Sequence, residues 1–393
     1  MIKHQMIRCF SLLLLMVLLA AGCAQDPAPA TTEPATEPAV TLPAETEPAA
    51  DSGPSVTVDG DALASGSILL QETVYVHAGE FLSALDRGEW SETEDGFVLN
   101  WENRRYEFSS LRETVLVDHQ AVSLFEPVST YRDGLWLPLE EICTMLNISI
   151  LEDSEQDTVY CTSGILNLNV PAGIRVPILM YHAVSTEPWG HRELFVTPEV
   201  MESHLKYLLD NGYDPIFFED LPYLDQYDKP MILTFDDGYL DNYTALYPLL
   251  QKYQAKATIF VVSSSIGGRE TSMTPEQVKE LSDSGLVSIQ SHTVSHRVLK
   301  DLSAEEQRME MELSRLYIAR LTGREPFVIS YPTGACDQNT LAIAAEFYRY
   351  GVIVDNRDHV TGRNDYTICR YNIRDTTSFD EFAWMICDAG KTA

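Results

Sequence analysis

From residue 174 onward, short apolar runs alternate with longer segments that carry helix signals. The runs Val176–Tyr181, Met231–Phe235, Ala257–Val262, Val287–Gln290, Phe327–Tyr331, Gly351–Val354 and Ile368–Ile373 read as strands. Between them, Thr197-Pro198-Glu199 and Thr274-Pro275-Glu276 each offer an N-cap and a proline at the first helical position. Gly212 and Gly285 stand where C-terminal glycines belong, and Ser303-Ala304-Glu305-Glu306 is a capping box. This alternation predicts an α/β domain with a parallel sheet. The pattern alone leaves an open sheet and a barrel equally available.

Upstream, residues 55–165 read differently. Val74–Leu85 aligns with Leu135–Leu146 at an offset of 61, and without a gap Trp90 then meets Leu151 and Val98 meets Val159. Each copy predicts a short strand, one amphipathic helix and a closing strand, giving a small α+β repeat domain. This segment resembles the copper amine oxidase N-terminal-like domain of bacterial surface proteins. The resemblance implies contact with the wall or a partner, or spacing, and no copper chemistry. His77 and His119 are isolated, so each reads as a solvated or core histidine.

Candidate chemistry gathers at the ends of three strand-like runs. Pro230–Leu233 leads into Thr234-Phe235-Asp236-Asp237-Gly238. Leu286–Ile289 leads toward His292-Thr293-Val294-Ser295-His296, and Phe327–Ile329 into Ser330-Tyr331-Pro332-Thr333-Gly334. The C-terminal edge of parallel strands is where α/β active sites are built. Histidines at i and i+4 are expected to share one face of a helical turn and to hold one metal ion. A carboxylate and two imidazoles make a three-ligand site that leaves a position open for water.

These three motifs, in this order and spacing, resemble those of the polysaccharide deacetylases, carbohydrate esterase family 4, the NodB homology domain. The resemblance spans about residues 174–385. It implies a distorted (β/α) barrel, with Asp237, His292 and His296 as ligands of a divalent metal and Asp236 as general base. Zinc is the expected ion; cobalt or nickel suits the same ligands. The backbone N–H of Thr333 would face the oxyanion, although the family usually has an aromatic residue there. Arg324 lies too early to be the arginine that braces the base, so Arg370 on the last strand is the candidate. The family's late Leu-x-His motif is absent, and His359 falls in a polar stretch, Arg357-Asp358-His359. Met180-Tyr181-His182 is similar to the Tyr-His motif of the intercellular-adhesin deacetylase branch, which makes His182 the candidate general acid. Phe379, Phe382 and Trp384 read as helix core. The expected activity is removal of N-acetyl groups from N-acetylglucosamine units of a wall or biofilm polysaccharide. The alternatives are an O-acetyl esterase on the same site and a non-catalytic wall-binding lipoprotein.

Composition narrows the partners. The chain has 393 residues, 27 basic against 59 acidic, for a net charge of −32. Phosphate binding needs a basic footprint, so nucleic acid is not an expected partner. Lys3 and Arg8 flank the start of an apolar run, Cys9–Ala21, that falls short of the roughly 20 residues of a membrane span. Leu19-Ala20-Ala21-Gly22-Cys23 resembles a lipobox, which implies a signal peptide over 1–22 and lipidation of Cys23. Residues 24–54, rich in Ala, Pro, Thr and Glu, predict an extended tether. The expected location is the outer face of the cell membrane, held by the lipid. Cys-x-x-Cys does not occur, and Cys143 with Cys161 is a possible bridge.

Overall fold

A computed structural model describes residues 51–392, apart from 71, 103, 112–113, 125, 127, 132–133 and 166–168. The predicted leader, Cys23 and nearly all of the predicted tether lie outside the described residues. The tether's predicted end overlaps a strand, because Asp51–Ser52 pairs antiparallel with Ile68–Leu69.

The repeat of the small domain is visible as symmetry. Strands Thr73–His77 and Gly134–Pro138 pair antiparallel, with Val76 opposite Leu137. These two residues are equivalent in the two copies. His77 faces Trp136 and Tyr75 faces Pro138, so the equivalences swap across an approximate two-fold axis at Val76 and Leu137. Each strand runs directly into a helix, Ala78–Ser83 or Leu139–Met145. The helices bury Phe81, Leu82, Ile142 and Cys143 in one core with Leu99, Trp101 and Cys161. Cys143 and Cys161 are free thiols there, with sulfurs 3.9 Å apart, so no bridge joins them. His119 is exposed beside Glu107, and His77 packs edge-on against Trp136, as bland histidines should.

The larger domain is a curled parallel sheet. Its strands are β1 (Ile178–Tyr181), β2 (Pro230–Phe235), β3 (Ala257–Val261), β4 (Val287–Ser291), β5 (Val328–Ser330), β6 (Tyr350–Val352) and β7 (Tyr371–Asn372). The spatial order is β6-β5-β4-β3-β2-β1-β7, and every pairing is parallel. Segment 368–372 draws the two ends together, since Ile368 bridges Val352 and Tyr371 pairs with Leu179. The result is the expected distorted (β/α) barrel. The sheet is apolar on both faces, which explains the unbroken runs in the sequence. Leu179, Leu233, Ile259 and their neighbours pack outward against Met201, Leu205, Leu250 and Val278 of the surrounding helices. Ile178, Ile232, Phe260, Val328 and Val352 form a separate inner cluster.

Helices α1 (Pro198–Asp210), α2 (Tyr247–Tyr253), α3 (Pro275–Asp283), α4 (Ala304–Thr322), α5 (Gln338–Phe347) and α6 (Phe379–Ile386) surround the sheet. The predicted caps form: Thr197 accepts from Val200 N–H, and Thr274 and Ser303 close capping boxes with Gln277 and Glu306. α6 corrects one expectation. Phe382 is fully buried, but Phe379 and Trp384 are 44% and 66% exposed, because an eight-residue helix presents only one stripe to the barrel.

The repeat domain docks where strands enter the barrel, opposite their C-terminal edge. Arg320 of α4 grips Asp153 with two donors and reaches Glu155, while Arg315 and Ser149 meet on Glu325. Leu151 and Tyr160 pack on Ala319. Gly323, at φ 76°, lets the end of α4 approach Gly60; a Cβ there would lie 2.8 Å from the Gly60 Cα.

Candidate active site

Strand β2 ends in a sharp change of direction. Asp236 remains buried, Asp237 adopts φ 76°, and Gly238 follows at φ 70°. A Cβ on Gly238 would sit 2.9 Å from Val261 of β3, so only glycine fits beside that strand. The turn separates the two carboxylates that the sequence places side by side. Asp236 points into the barrel and Asp237 toward the two histidines.

Inside, Asp236 is gripped by Arg370, which immediately precedes β7 and is fully buried. Nη1 donates to Oδ1 at 2.7 Å and Nη2 to Oδ2 at 2.8 Å. Ser330 Oγ donates to the same Oδ2 at 3.1 Å and accepts from Nη2 at 2.9 Å. Thr234 Oγ1 accepts from Nη1 at 3.1 Å and donates to the Leu179 carbonyl at 2.8 Å. Burial alone would raise the Asp236 pKa. The charge and hydrogen bonds of Arg370 outweigh it and hold the carboxyl well below its ordinary range. The predicted brace is therefore present as a bidentate pair.

His292 and His296 do come together, but not on a helical turn. They lie on an irregular loop after β4 in which Thr293 (φ 66°) and His296 (φ 60°) are left-handed. Beyond residue 174, the non-glycine residues in this conformation are Asp237, Gln254, Thr293, His296, Thr333 and Asn356, and four of the six belong to the three motifs. Such backbone is costly for β-branched threonine and persists only where its surroundings enforce it. The His292 loop is held by Ser263 and Ser264 N–H on the Thr293 and Val294 carbonyls and, from another element, by Glu310 of α4. Its buried carboxylate accepts from Ser295 N–H at 2.9 Å and from Ser295 Oγ at 2.5 Å.

The geometry fits a metal ion. Asp237 Oδ1 lies 3.6 Å from His292 Nε2 and 3.6 Å from His296 Nε2, and all three ligand atoms fall within 4.8 Å of one another. Tetrahedral zinc with bonds of roughly 2.0–2.2 Å separates its ligand atoms by about 3.4 Å. His292 Nδ1 lies 2.7 Å from the Ser330 carbonyl. A carbonyl can only accept, so Nδ1 is the donor and the Nε2 lone pair is free to face the ion. Burial lowers the His292 pKa against the pull of Asp236 and Asp237, which keeps the ring neutral, as a ligand must be.

The other predicted residues divide. His182, straight after β1, reaches the same edge. Burial lowers its pKa, while Asp236 and Asp237 pull the other way. Its Nδ1 is buried without a hydrogen-bond partner among the described residues. The His182 carbonyl is held by Asn242 Nδ2 at 2.9 Å, and Asp241 accepts from Val184 N–H at 2.9 Å. Burial pushes the Asp241 carboxyl up to about 6. Thr333 stands in a short turn after β5 at φ 62°, with its side chain exposed. His359 is not in a polar loop. It is buried in the strand His359–Val360, opposite Val176, while the neighbouring Asp358 is taken up by Arg175 and Tyr371. Glu310 and Asn242 had no motif to announce them, and Ser330 lay in the third motif without a role assigned to it. Each acts through a contact far away in the chain.

Comparison with known proteins identifies the family. Residues 224–350 match the polysaccharide deacetylase family model. The Bacillus subtilis (strain 168) protein YxkH, designated a polysaccharide deacetylase, is 37% identical over 200 residues, covering 49% of this chain and 69% of that protein. The chain belongs to the polysaccharide deacetylase family of hydrolases. A Streptococcus pyogenes deacetylase, PplD, solved in complex with acetate, superposes with a TM-score of 0.51 at 29% identity, over 55% of this chain and 99% of that one. The poly-β-1,6-N-acetyl-D-glucosamine N-deacetylase of Escherichia coli (strain K12) is 27% identical over 158 residues, which are 35% of this chain but only 24% of the relative.

Proposed function

We propose that this chain is a metal-dependent N-deacetylase acting on a polysaccharide that contains N-acetylglucosamine. The observation that carries the reading is the cluster Asp237, His292 and His296 beside an Asp236 braced by Arg370. Asp237, His292 and His296 would hold a divalent ion, most simply zinc, which would acidify a water toward neutrality and act as an electrophile for the acyl oxygen.

The chain's own residues do the rest. Asp236 accepts the proton of the attacking water, and Arg370 keeps its carboxylate ionised and aimed. The Thr333 N–H serves the oxyanion of the tetrahedral state. His182 delivers a proton to the departing amine, whose nitrogen leaves poorly without one. Its Nδ1, near Asp236 and Asp237 and buried without a hydrogen-bond partner among the described residues, is a ring nitrogen available for that role. The substrate named for the Escherichia coli relative makes a β-1,6-linked N-acetylglucosamine polymer the first candidate. We further propose that Cys23 is lipidated and holds the enzyme on the outer face of the cell membrane, where such polymers lie.

The test is mass spectrometry of products formed by zinc-loaded protein on poly-β-1,6-N-acetylglucosamine, peptidoglycan and chitin oligomers. Loss of 42 Da per unit (about the mass change from acetyl to hydrogen) on at least one of them is expected. No such loss on any of the three would end the proposal.

A further inference from the structure

One large apolar side chain is left standing beside the reacting centre. Trp189 lies in the loop between Val184 and Phe195 and is 44% exposed. It is not loose. Its ring meets Tyr239 at 4.5 Å with an interplanar angle of 81°, and Phe195 at 5.1 Å with 83°. Both supports are tied to the site. Tyr239 comes two residues after Asp237, and its hydroxyl engages that carboxylate. Phe195 is buried in the strand Phe195–Val196, which pairs in parallel with Ala183–Val184, directly after His182.

A single exposed apolar residue is ordinary on a protein surface. This one differs in being fixed by two edge-on aromatic contacts, so little freedom remains to be lost when a ligand covers it. Exposed indoles with a polar end suit ligands that have one apolar face and a polar rim. A β-linked pyranose has such a face in its axial C–H groups. It is also neutral when acetylated, so the chain's negative charge does not repel it.

We propose that Trp189 is a stacking platform for a sugar ring neighbouring the one that is deacetylated, so that the site selects oligomers over free monosaccharide. Trp189 is thus a specificity-determining residue, with Tyr239 and Phe195 as its positioning residues. The proposal rests on the deacetylase reading for the identity of the reacting sugar, but its core is a binding claim.

The binding claim can be tested apart from turnover. The probes are β-linked tetramers of glucosamine, which carry no acetyl group to lose, and glucosamine as the monomer. Calorimetry on wild-type, Trp189→Ala and Trp189→Phe proteins gives the affinities, and mass spectrometry on the acetylated tetramers reports hydrolysis. Tetramer affinity should fall about tenfold in Trp189→Ala, recover in Trp189→Phe, and change little for the monomer. Unchanged tetramer binding, or equal losses for tetramer and monomer, overturns the platform. Trp189-dependent binding without hydrolysis in the wild type would retain the platform and remove the deacetylase reading. Hydrolysis without Trp189-dependent binding would do the reverse.

Discussion

Two arginine–carboxylate pairs stand at opposite ends of the barrel, and their surroundings differ more than they do. Arg370 grips Asp236 at the edge where strands leave, and Arg320 grips Asp153 at the edge where they enter. Both pairs are bidentate and both carboxylates are buried. Around Asp153 the carboxylate is saturated: the N–H groups of Glu155 and Gln156 complete its shell, and the one left-handed residue of that turn, Asp157 at φ 48°, meets no cluster of ligating side chains among the described residues. Around Asp236 the backbone is left-handed at Asp237, Thr293, His296 and Thr333, and His182 keeps a spare nitrogen. A buried ion pair alone therefore says little about function. What marks the catalytic end is the convergence of Asp237, His292 and His296 on one point beside the pair, with several left-handed residues holding them there.

The sharpest way to break this contrast is at the metal cluster. His296→Ala should lose most bound divalent ion and nearly all hydrolysis, measured by elemental analysis and product release. Full metal content in that variant would remove the ligand assignment. Asp236→Asn should keep its metal yet lower kcat by about 10²–10⁴, the usual worth of a general base. His182→Ala should cost a similar factor on acetamido sugars but far less on activated aryl acetates, whose leaving groups need little protonation. Equal losses on both substrates would make His182 structural.

Glu310→Gln probes the strain itself. Releasing Ser295 should loosen the His292 loop and weaken metal affinity by about 10–100-fold, as outer-shell changes do, without removing a ligand. Unaltered affinity by competition with a chelator would show that the loop holds its shape unaided. At the other end, Arg320→Ala should leave Asp153 buried and unpaired, costing about 3 kcal/mol in denaturant unfolding. Turnover per folded molecule should not change. A large loss of turnover there would erase the distinction between the two ends.

The smallest effect concerns His359. Burial lowers its pKa from 6.5 to about 4. Its folded value lies below its unfolded one, so its neutral form contributes fully above about pH 6.5, and that contribution is lost as pH falls toward 4. The shift corresponds to at most about 3 kcal/mol. The drop in melting temperature between pH 7 and pH 5 should be smaller in His359→Gln than in the wild type. An identical drop would show that His359 is not titrating in the fold.

What the sequence revealed followed the range of each interaction. Asp236, Asp237, His292 and His296 were legible because their chemistry sits at strand ends within a few residues of each other. Arg370 was legible because the last strand offers one arginine. The helical-turn reading of His292 and His296 failed because spacing cannot see that Thr293 turns left-handed. The clamp by Glu310 was hidden because its partner lies on another element and a glutamate on a helix usually faces water. His359 misled because the polarity of Asp358 is spent on Arg175 and Tyr371 rather than on solvent, which the sequence does not show. The contacts of Arg315 and Arg320 with the repeat domain and Glu325 left no signal in the sequence, because their partners lie far away in the chain.

The pairing of Val76 with Leu137 carries a consequence about descent. The two copies meet through the same strand, so each presents the edge that its twin requires. An ancestor with only one copy would already have possessed a surface complementary to itself. Tandem duplication would then have turned an encounter between two molecules into one within a single chain, with no new contact to invent. Val76 and Leu137, the apolar pair on the axis, are where the two copies would have met.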